Sequence, residues 1–338
     1  MKKSYQNIFF FIGLLLLFDM VFQLDYHTVW INLQHAGYWF IAVLVLWFFL
    51  YMFNTASWFI IIKNQENKNK RENLQNSERI NFWWLYKLSV SGFALNYATP
   101  CGLMGGEPYR IMELKQKIGV ERATSSVFLF VMTHIFSHFW FWLLSIPLFI
   151  FTQHVSLFMA ILLFICTVVL VFAIWFFLNG YKKGFTVRII TLLKHLPFFI
   201  GKWASKYIEK HHTQLENIDK QIATLHNNDK KTFLFVVLIE LICRICSALE
   251  ILFILLVLYP SVNYLNCILI ISFTTLLANI LFFMPLQLGG REGGFILSIS
   301  GLGLTTNAGV FVALIVRVRE IIWMAIGLLL IKISAAKK

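Results

Sequence analysis

Six apolar runs of membrane-spanning length divide this chain: Tyr38 to Ile62, Ser125 to Phe151, Val155 to Leu178, Thr232 to Tyr259, Val262 to Met284 and Val310 to Ile331. A helix needs about 20 such residues to cross the hydrocarbon core of a bilayer. Two shorter runs, Ile8 to Leu24 and Phe82 to Tyr97, bring the expected number of helices to about eight by that criterion. The chain is 59% hydrophobic with 35 Phe and 11 Trp, and only 13% of its residues are charged. One aqueous core cannot hide that much apolar surface, so the solvent must be lipid. No stretch reads as a water-soluble domain. The expected fold is all-α, a single polytopic membrane domain over residues 1–338, with a first half to about residue 178 and a second from 232. The connector between them, 179–231, alternates apolar and basic residues at helical spacing around Ile189, Leu192, Leu193, Trp203 and Tyr207, as amphipathic surface helices do. Lys2 and Lys3 followed by Ile8 to Phe18 resemble a signal peptide, but Asp19, Met20, Val21 and Phe22 offer no small-residue cleavage site. The segment therefore reads as an uncleaved first helix.

The net charge of +13 is concentrated in a few loops rather than along a groove, which argues against nucleic acid as a partner. Lys63 to Asn81 carries five Lys and Arg, Tyr109 to Arg122 four, Asn179 to Lys231 ten, and the tail from Lys332 three. Asp25 to Gly37, Thr152 to His154 and Pro260 to Ser261 carry none. Basic loops favour the cytoplasmic side, so both termini are expected inside. Parity then forces two exceptions. The run Phe82 to Tyr97 starts inside, yet the basic stretch that follows it is also inside, so Pro100 to Met112 must return as a re-entrant half helix. Val262 to Met284 ends inside and so does Val310 to Ile331, so Pro285 to Leu302 must return outward. Two broken elements of opposite orientation are the mark of an inverted-topology repeat.

Those two places share their residues. The first carries Asn96, Pro100, Gly105, Gly106, Glu107 and Arg110; the second carries Asn279, Pro285, Gly289, Gly290, Arg291 and Glu292. Pro and Gly interrupt helices, and charge at membrane depth is costly and usually functional. The run Pro100-Cys-Gly-Leu-Met-Gly-Gly-Glu-Pro-Tyr-Arg110, with Leu114, Gly119, Ala123 and Ser125-Ser126-Val127, resembles the flippase-like membrane family that includes the transmembrane region of lysylphosphatidylglycerol synthases, the multiple peptide resistance factors. Met284-Pro-Leu-Gln-Leu-Gly-Gly-Arg-Glu-Gly-Gly294, followed by Gly301 and Leu302, is similar to that family's second signature. The resemblance covers most of the chain. It implies an all-helical inner-membrane protein that moves or binds lipids with charged head groups. The family often has an Arg and an Asp on the helix after the first signature, where this chain reads Thr133, His134, Ile135, Phe136, Ser137 and His138. It has no soluble aminoacyl-transferase domain, so the synthetic activity of the larger relatives does not carry over.

The candidate head-group site follows from side-chain chemistry. Glu107 and Arg110, three apart on one helix face, either pair or meet a head group. Arg291 follows Gly289 and Gly290 and opens a short helix, so its guanidinium and the helix dipole act on one spot. Arg291 and Glu292 are adjacent and cannot share a face. The Gly pairs, Gly105 with Gly106 and Gly289 with Gly290, let backbone N–H groups approach a ligand. Asn96, Asn279 and Arg319 complete the expected set; Arg319 is the intramembrane cation expected to meet an anion. Glu240 and Arg244, four apart, read as an internal ion pair, as do Arg317 and Glu320. His134 and His138 have the spacing of a zinc pair on a helix but lack a third ligand, and read as buried histidines facing a cavity. No metal or other cofactor is expected. Of the five Cys, Cys101 stands in the first signature, while Cys166, Cys243, Cys246 and Cys267 lie in apolar runs and are expected as reduced thiols.

Balanced Arg and Glu pairs, without a nucleophile beside a base, favour recognition over catalysis. The expected function is a lipid flippase or lipid-binding membrane protein, for phospholipids or glycolipids with anionic or zwitterionic head groups. The alternative is an intramembrane lipid-modifying transferase with Glu107 or the two histidines as base. A homo-oligomer is compatible with the sequence. Abundant Asn and Lys suggest a bacterial cytoplasmic membrane. Cysteines introduced at Lys68 or Lys206 are expected to stay unlabelled when an impermeant maleimide is added to intact cells; labelling at either position overturns the assigned sidedness.

Overall fold

A computed structural model describes residues 26–71, 79–98, 106–183, 230–281 and 289–336. The expected first helix, most of the amphipathic connector, Cys101, Gly105, Pro100 and Pro285 lie outside these residues. Among the described residues the chain is nine helices with no strand: α1 Tyr26–Arg71, α2 Phe82–Ala98, α3 Gly106–Ile118, α4 Val120–Thr152, α5 Leu157–Lys183, α6 Lys230–Leu255, α7 Tyr264–Ile280, α8 Gly290–Gly301 and α9 Thr306–Ala336.

Local chemistry sets several of these boundaries. Asn81 Oδ1 accepts from the Trp83 N–H at 2.8 Å ahead of α2, and Asn263 Oδ1 accepts from the Leu265 N–H at 2.9 Å to cap α7. Each satisfies a donor that the first helical turn leaves open. Gly37, at φ 50° and ψ −130°, divides α1 into two helical segments; a side chain there would meet the left-handed steric penalty.

Among the described residues four helices are long and apolar enough to cross a membrane: Trp30–Glu66, Val120–Thr152, Leu157–Asn179 and Lys231–Leu255. Of the eight expected helices, Ile8 to Leu24 lies outside the described residues, and three described ones fall short for physical reasons, the first being α2, which has 17 residues and carries Lys87. Helix α7 is apolar but spans only Tyr264–Ile280. Helix α9 has the length, yet Arg317, Arg319 and Glu320 interrupt it, and all three are buried against protein. That placement is the usual one for charge at membrane depth. Helix α5 shows the opposite face of the same rule: Leu157, Phe158 and Phe164 are 80%, 76% and 70% exposed, a surface suited only to hydrocarbon. The protein is an all-helical integral membrane protein.

The packing follows a regular scheme. Helix α1 lies against α6, α2 against α9, and α7 against α4; α3 joins α2 to α4, and α8 joins α7 to α9. Helix α1 also touches α2, α4 and α9, and α6 touches α7, α9 and α4. Exchanging α1 with α6, α2 with α7, α3 with α8 and α4 with α9 turns each of these pairs into another pair that also packs. Helix α5, packed on α4, has no counterpart among the described residues. Two large apolar clusters fill most of the bundle, with a smaller third around Tyr51, Tyr86, Val90 and Trp323. One centres on Trp58, Leu85, Leu114 and Phe130, the other on Ile251, Ile270, Phe295 and Ile315.

Small residues permit the closest approaches, as is common where membrane helices meet. A Cβ at Gly327 of α9 would stand 2.5 Å from Ala94 Cβ and 2.9 Å from the Val90 carbonyl oxygen of α2, and Ser91 Oγ donates to the Gly327 carbonyl at 3.1 Å. Gly327→Leu is expected to push α9 off α2 and lower stability by roughly 1–3 kcal/mol, read as a fall in the thermal midpoint of the detergent-solubilised protein.

Candidate functional site

The polar groups of the helices converge on an internal cavity of about 280 Å³. Helix α3 brings Glu107 and Arg110, α4 brings His134 and His138, α6 brings Glu240, Arg244 and Glu250, and α8 brings Arg291; Asn96 of α2 and Asn279 of α7 complete the polar wall. Trp47, Tyr51, Phe93 and Phe130 supply much of the apolar wall.

The start of α3 is built on α2. Asn96 Oδ1 accepts from the Gly106 N–H at 2.8 Å, and Asn96 Nδ2 donates to Glu107 Oε1, also at 2.8 Å. Arg110 is 1% exposed; its Nη1 donates to Glu107 Oε1 at 3.3 Å and its Nη2 to the Ser89 carbonyl at 3.2 Å. Its guanidinium also lies 4.6 Å from the Phe93 ring centre and 5.5 Å from that of Phe130, a cation–π arrangement in a desolvated setting. A Cβ on Gly92 would run into the Arg110 side chain, and one on Gly106 into the Gly92 carbonyl. Gly106 is thus required for helix-to-helix approach, and its N–H is taken by Asn96 rather than left open for a ligand.

The start of α8 is fastened differently. Gly289, at φ 77°, precedes the helix, and its N–H donates to Glu292 Oε2 at 2.9 Å; Gly290 packs against the Leu281 side chain. Arg291 pairs with Glu320 of α9, while Glu292 pairs with Arg317 of α9. Arg317 and Glu320 bond to each other at 3.3 Å. The adjacent pair Arg291 and Glu292 therefore diverges, as helix geometry requires: Arg291 lines the main cavity and Glu292 does not. The structure brings Glu107, Arg110 and Arg291 to one cavity. Asn279 shares the cavity but donates to its own helix, at the Thr275 carbonyl, at 2.7 Å, so it does not repeat the part Asn96 plays.

Two expected partnerships are replaced by others. Glu240 does not pair with Arg244; its Oε2 lies 2.8 Å from His134 Nδ1. Arg244 Nε donates to Ser137 Oγ at 2.7 Å and its Nη2 to the His134 carbonyl at 2.8 Å. Arg319 is not open to an anion. It is fully buried, its Nε and Nη2 meet the two oxygens of Glu250 at 2.8 and 3.2 Å, and its guanidinium sits 3.8 Å from the Trp47 ring centre. His134 and His138 stand edge to face with centres 5.5 Å apart, and His138 lies against Trp142.

Glu250, Ser137 and Ser247 were not among the candidate site residues drawn from the sequence. The signal was present in α6: Glu240, Cys243, Arg244, Ser247 and Glu250 follow the i, i+3, i+4, i+7, i+10 progression of one helix face, and all five line the cavity. Cys243 and Cys246 are free thiols, and Cys243 takes a hydrogen bond from Asn54 Nδ2 at 3.4 Å.

The described residues thus form an all-helical membrane domain whose charged side chains gather around one cavity. The family model of the lysylphosphatidylglycerol synthase transmembrane region matches residues 7–327, and the chain belongs to that family. No curated protein and no solved structure matches it.

Removing one partner of a fully buried ion pair strands the other. Glu250→Ala is expected to cost about 3–5 kcal/mol by taking away the carboxylate that both Nε and Nη2 of Arg319 meet, with only Glu320 at 3.9 Å left beside it. Replacing both members, Glu250→Leu with Arg319→Met, is expected to cost less than the single change. Thermal unfolding of the two variants in the same detergent checks the order.

Proposed function

We propose that this protein binds the charged head group of a membrane lipid in the cavity and carries it across the bilayer without covalent chemistry. The observation that carries this reading is the cavity itself: ionised groups from α3, α6 and α8 face one shared space inside a protein whose helix α5 turns an apolar face outward. Hydrocarbon tails need no such groups, whereas a phosphate or ammonium does. Membership of a lipid-related membrane family supports the same class of ligand.

The transport reading includes an inverted repeat of about eight spans and two half helices, with both termini in the cytoplasm of a bacterial cell. The exchange symmetry of the helix packing supports the repeat. Helices α3 and α8 have 13 and 12 residues, so each is about 20 Å long at 1.5 Å per residue. That is short of a hydrocarbon core of about 30 Å, which supports the half-helix reading. Broken helices meeting at a central site are a recurrent transporter plan.

The rival reading, an intramembrane lipid-modifying transferase, draws on the His134–Glu240 pair, which has the geometry of a base and its orienting carboxylate. One assay separates the two. Purified protein is placed in liposomes with a fluorescent phospholipid; outer-leaflet probe is quenched from outside and the lipid is then extracted and chromatographed. Transport gives quenching beyond the outer-leaflet share with chemically unchanged lipid. Conversion of the lipid without redistribution would overturn the transport reading in favour of the transferase. Glu107→Gln is expected to slow redistribution by roughly tenfold, since it weakens the charge-assisted bonds that hold Arg110 at the cavity wall.

A further inference from the structure

The arginines around the cavity are not equivalent. Arg110 is matched by Glu107, Arg291 by Glu320, and Arg319 by Glu250. Arg317 and Arg319 lie behind the cavity wall, and Arg317 is matched by Glu292 and Glu320. Arg244 differs from all of these. Its hydrogen bonds go to a serine hydroxyl and a backbone carbonyl, both neutral, and among the described residues no carboxylate lies within ion-pair distance of it. The nearest carboxylate on its own helix face, Glu240, is engaged by His134.

The two neutral bonds also fix where the remaining donors are. Ser137 and the His134 carbonyl hold Nε and Nη2. Nη1, with both of its hydrogens, is not used by the protein and belongs to a side chain that lines the cavity. A guanidinium carries five N–H donors in a planar fork that matches phosphate oxygens. A cation held in place by neutral partners keeps its full charge for a ligand, whereas the charge of Arg291 is already met by Glu320.

We infer that Arg244 is the anion anchor of the cavity and takes a phosphate oxygen of the ligand on its unused edge. This rests on the head-group reading above and moves the anchoring role from Arg291 to Arg244. The cavity walls also carry Glu107 and Glu240. With Glu250 they offer acceptor oxygens beside the cationic wall of Arg110, Arg244 and Arg291, an arrangement that suits a phosphodiester bearing a hydroxyl or ammonium donor of its own better than a bare phosphate. The ligand class is therefore a glycerophospholipid with a donor-bearing head group, with free inorganic phosphate as the competing source of the same chemistry.

The test uses the full-length protein in detergent and follows tryptophan fluorescence on addition of four probes: dihexanoyl phosphatidylglycerol, dihexanoyl phosphatidylethanolamine, dihexanoylglycerol without phosphate, and inorganic phosphate. Arg244→Gln is expected to weaken binding of the two phospholipids at least tenfold and to leave dihexanoylglycerol unchanged. Ser137→Ala keeps the charge but frees the side chain, and is expected to lose several-fold. Arg244→Lys is expected to fall between the two, since it keeps the charge without the fork. Should Arg244→Gln fail to fold, as judged by gel filtration, the Ser137 and Lys variants decide. Unchanged phospholipid affinity in the variants that fold overturns the anchor while the head-group reading stands. Binding of inorganic phosphate alone, lost with Arg244, keeps the anchor and overturns the lipid reading. Wild-type protein that binds none of the phosphate probes overturns both.

Discussion

Arg319 has no route to water, and much of the arrangement follows from that. A guanidinium inside a membrane protein must be met by a counter-charge and acceptors, or it costs several kcal/mol. Here Glu250 of α6 supplies both oxygens and Trp47 of α1 supplies its ring face. One residue of α9 thereby fixes the register of three helices at once. A slip of one turn along α9 would move the guanidinium about 5.4 Å, which is enough to break every one of these contacts. Apolar packing alone tolerates such slips far better, because leucine and phenylalanine surfaces are interchangeable in hydrocarbon.

The same demand shapes the ends of the short helices. An α-helix start leaves N–H groups unmet, and in this protein both short helices begin beside an acidic residue, Glu107 in α3 and Glu292 in α8. Each carboxylate does two jobs. Glu107 receives Asn96 and Arg110; Glu292 receives the Gly289 N–H and Arg317. A helix that starts inside the bundle is thus stabilised by its dipole and by a lateral ion pair together.

The sequence made the class of protein legible because spanning length and the cost of charge in lipid are strong, one-dimensional signals. Pro, Gly pairs and mixed charge marked both breaks, and the residues next to them, Glu107, Arg110 and Arg291, do reach one cavity. The pairing of those charges was not legible. Spacing along one helix suggested Glu240 with Arg244, but the carboxylate turned to His134 across the interface, a contact between residues 106 apart in the chain. Arg319 looked like a free cation for the same reason: its partner Glu250 is 69 residues away. Periodicity reports which face a side chain occupies, and it carries no information about which neighbouring helix faces it. The face itself was readable in α6, where five lining residues recur at helical spacing.

The two short helices also divide the bundle into differently bonded parts. Helix α3 is bonded to α2 through Asn96 and Ser89, α2 is seated on α9 at Gly327, and α8 is bonded to α9 through Arg291 and Glu292. These four helices form one polar-linked block. Helices α4 and α6 form another, through His134 with Glu240 and Ser137 with Arg244. The cavity lies between the blocks, with Arg110 and Arg291 on one wall and Arg244 on the other. The Arg319–Glu250 pair crosses from the first block to the second. Any change in cavity width must pivot about that bond or break it, and breaking it would strand a charge out of reach of water. The wall that carries Arg244 is therefore held at a set distance from the wall that carries Arg110, and under the head-group reading proposed above that spacing is what would let one rigid head group touch both.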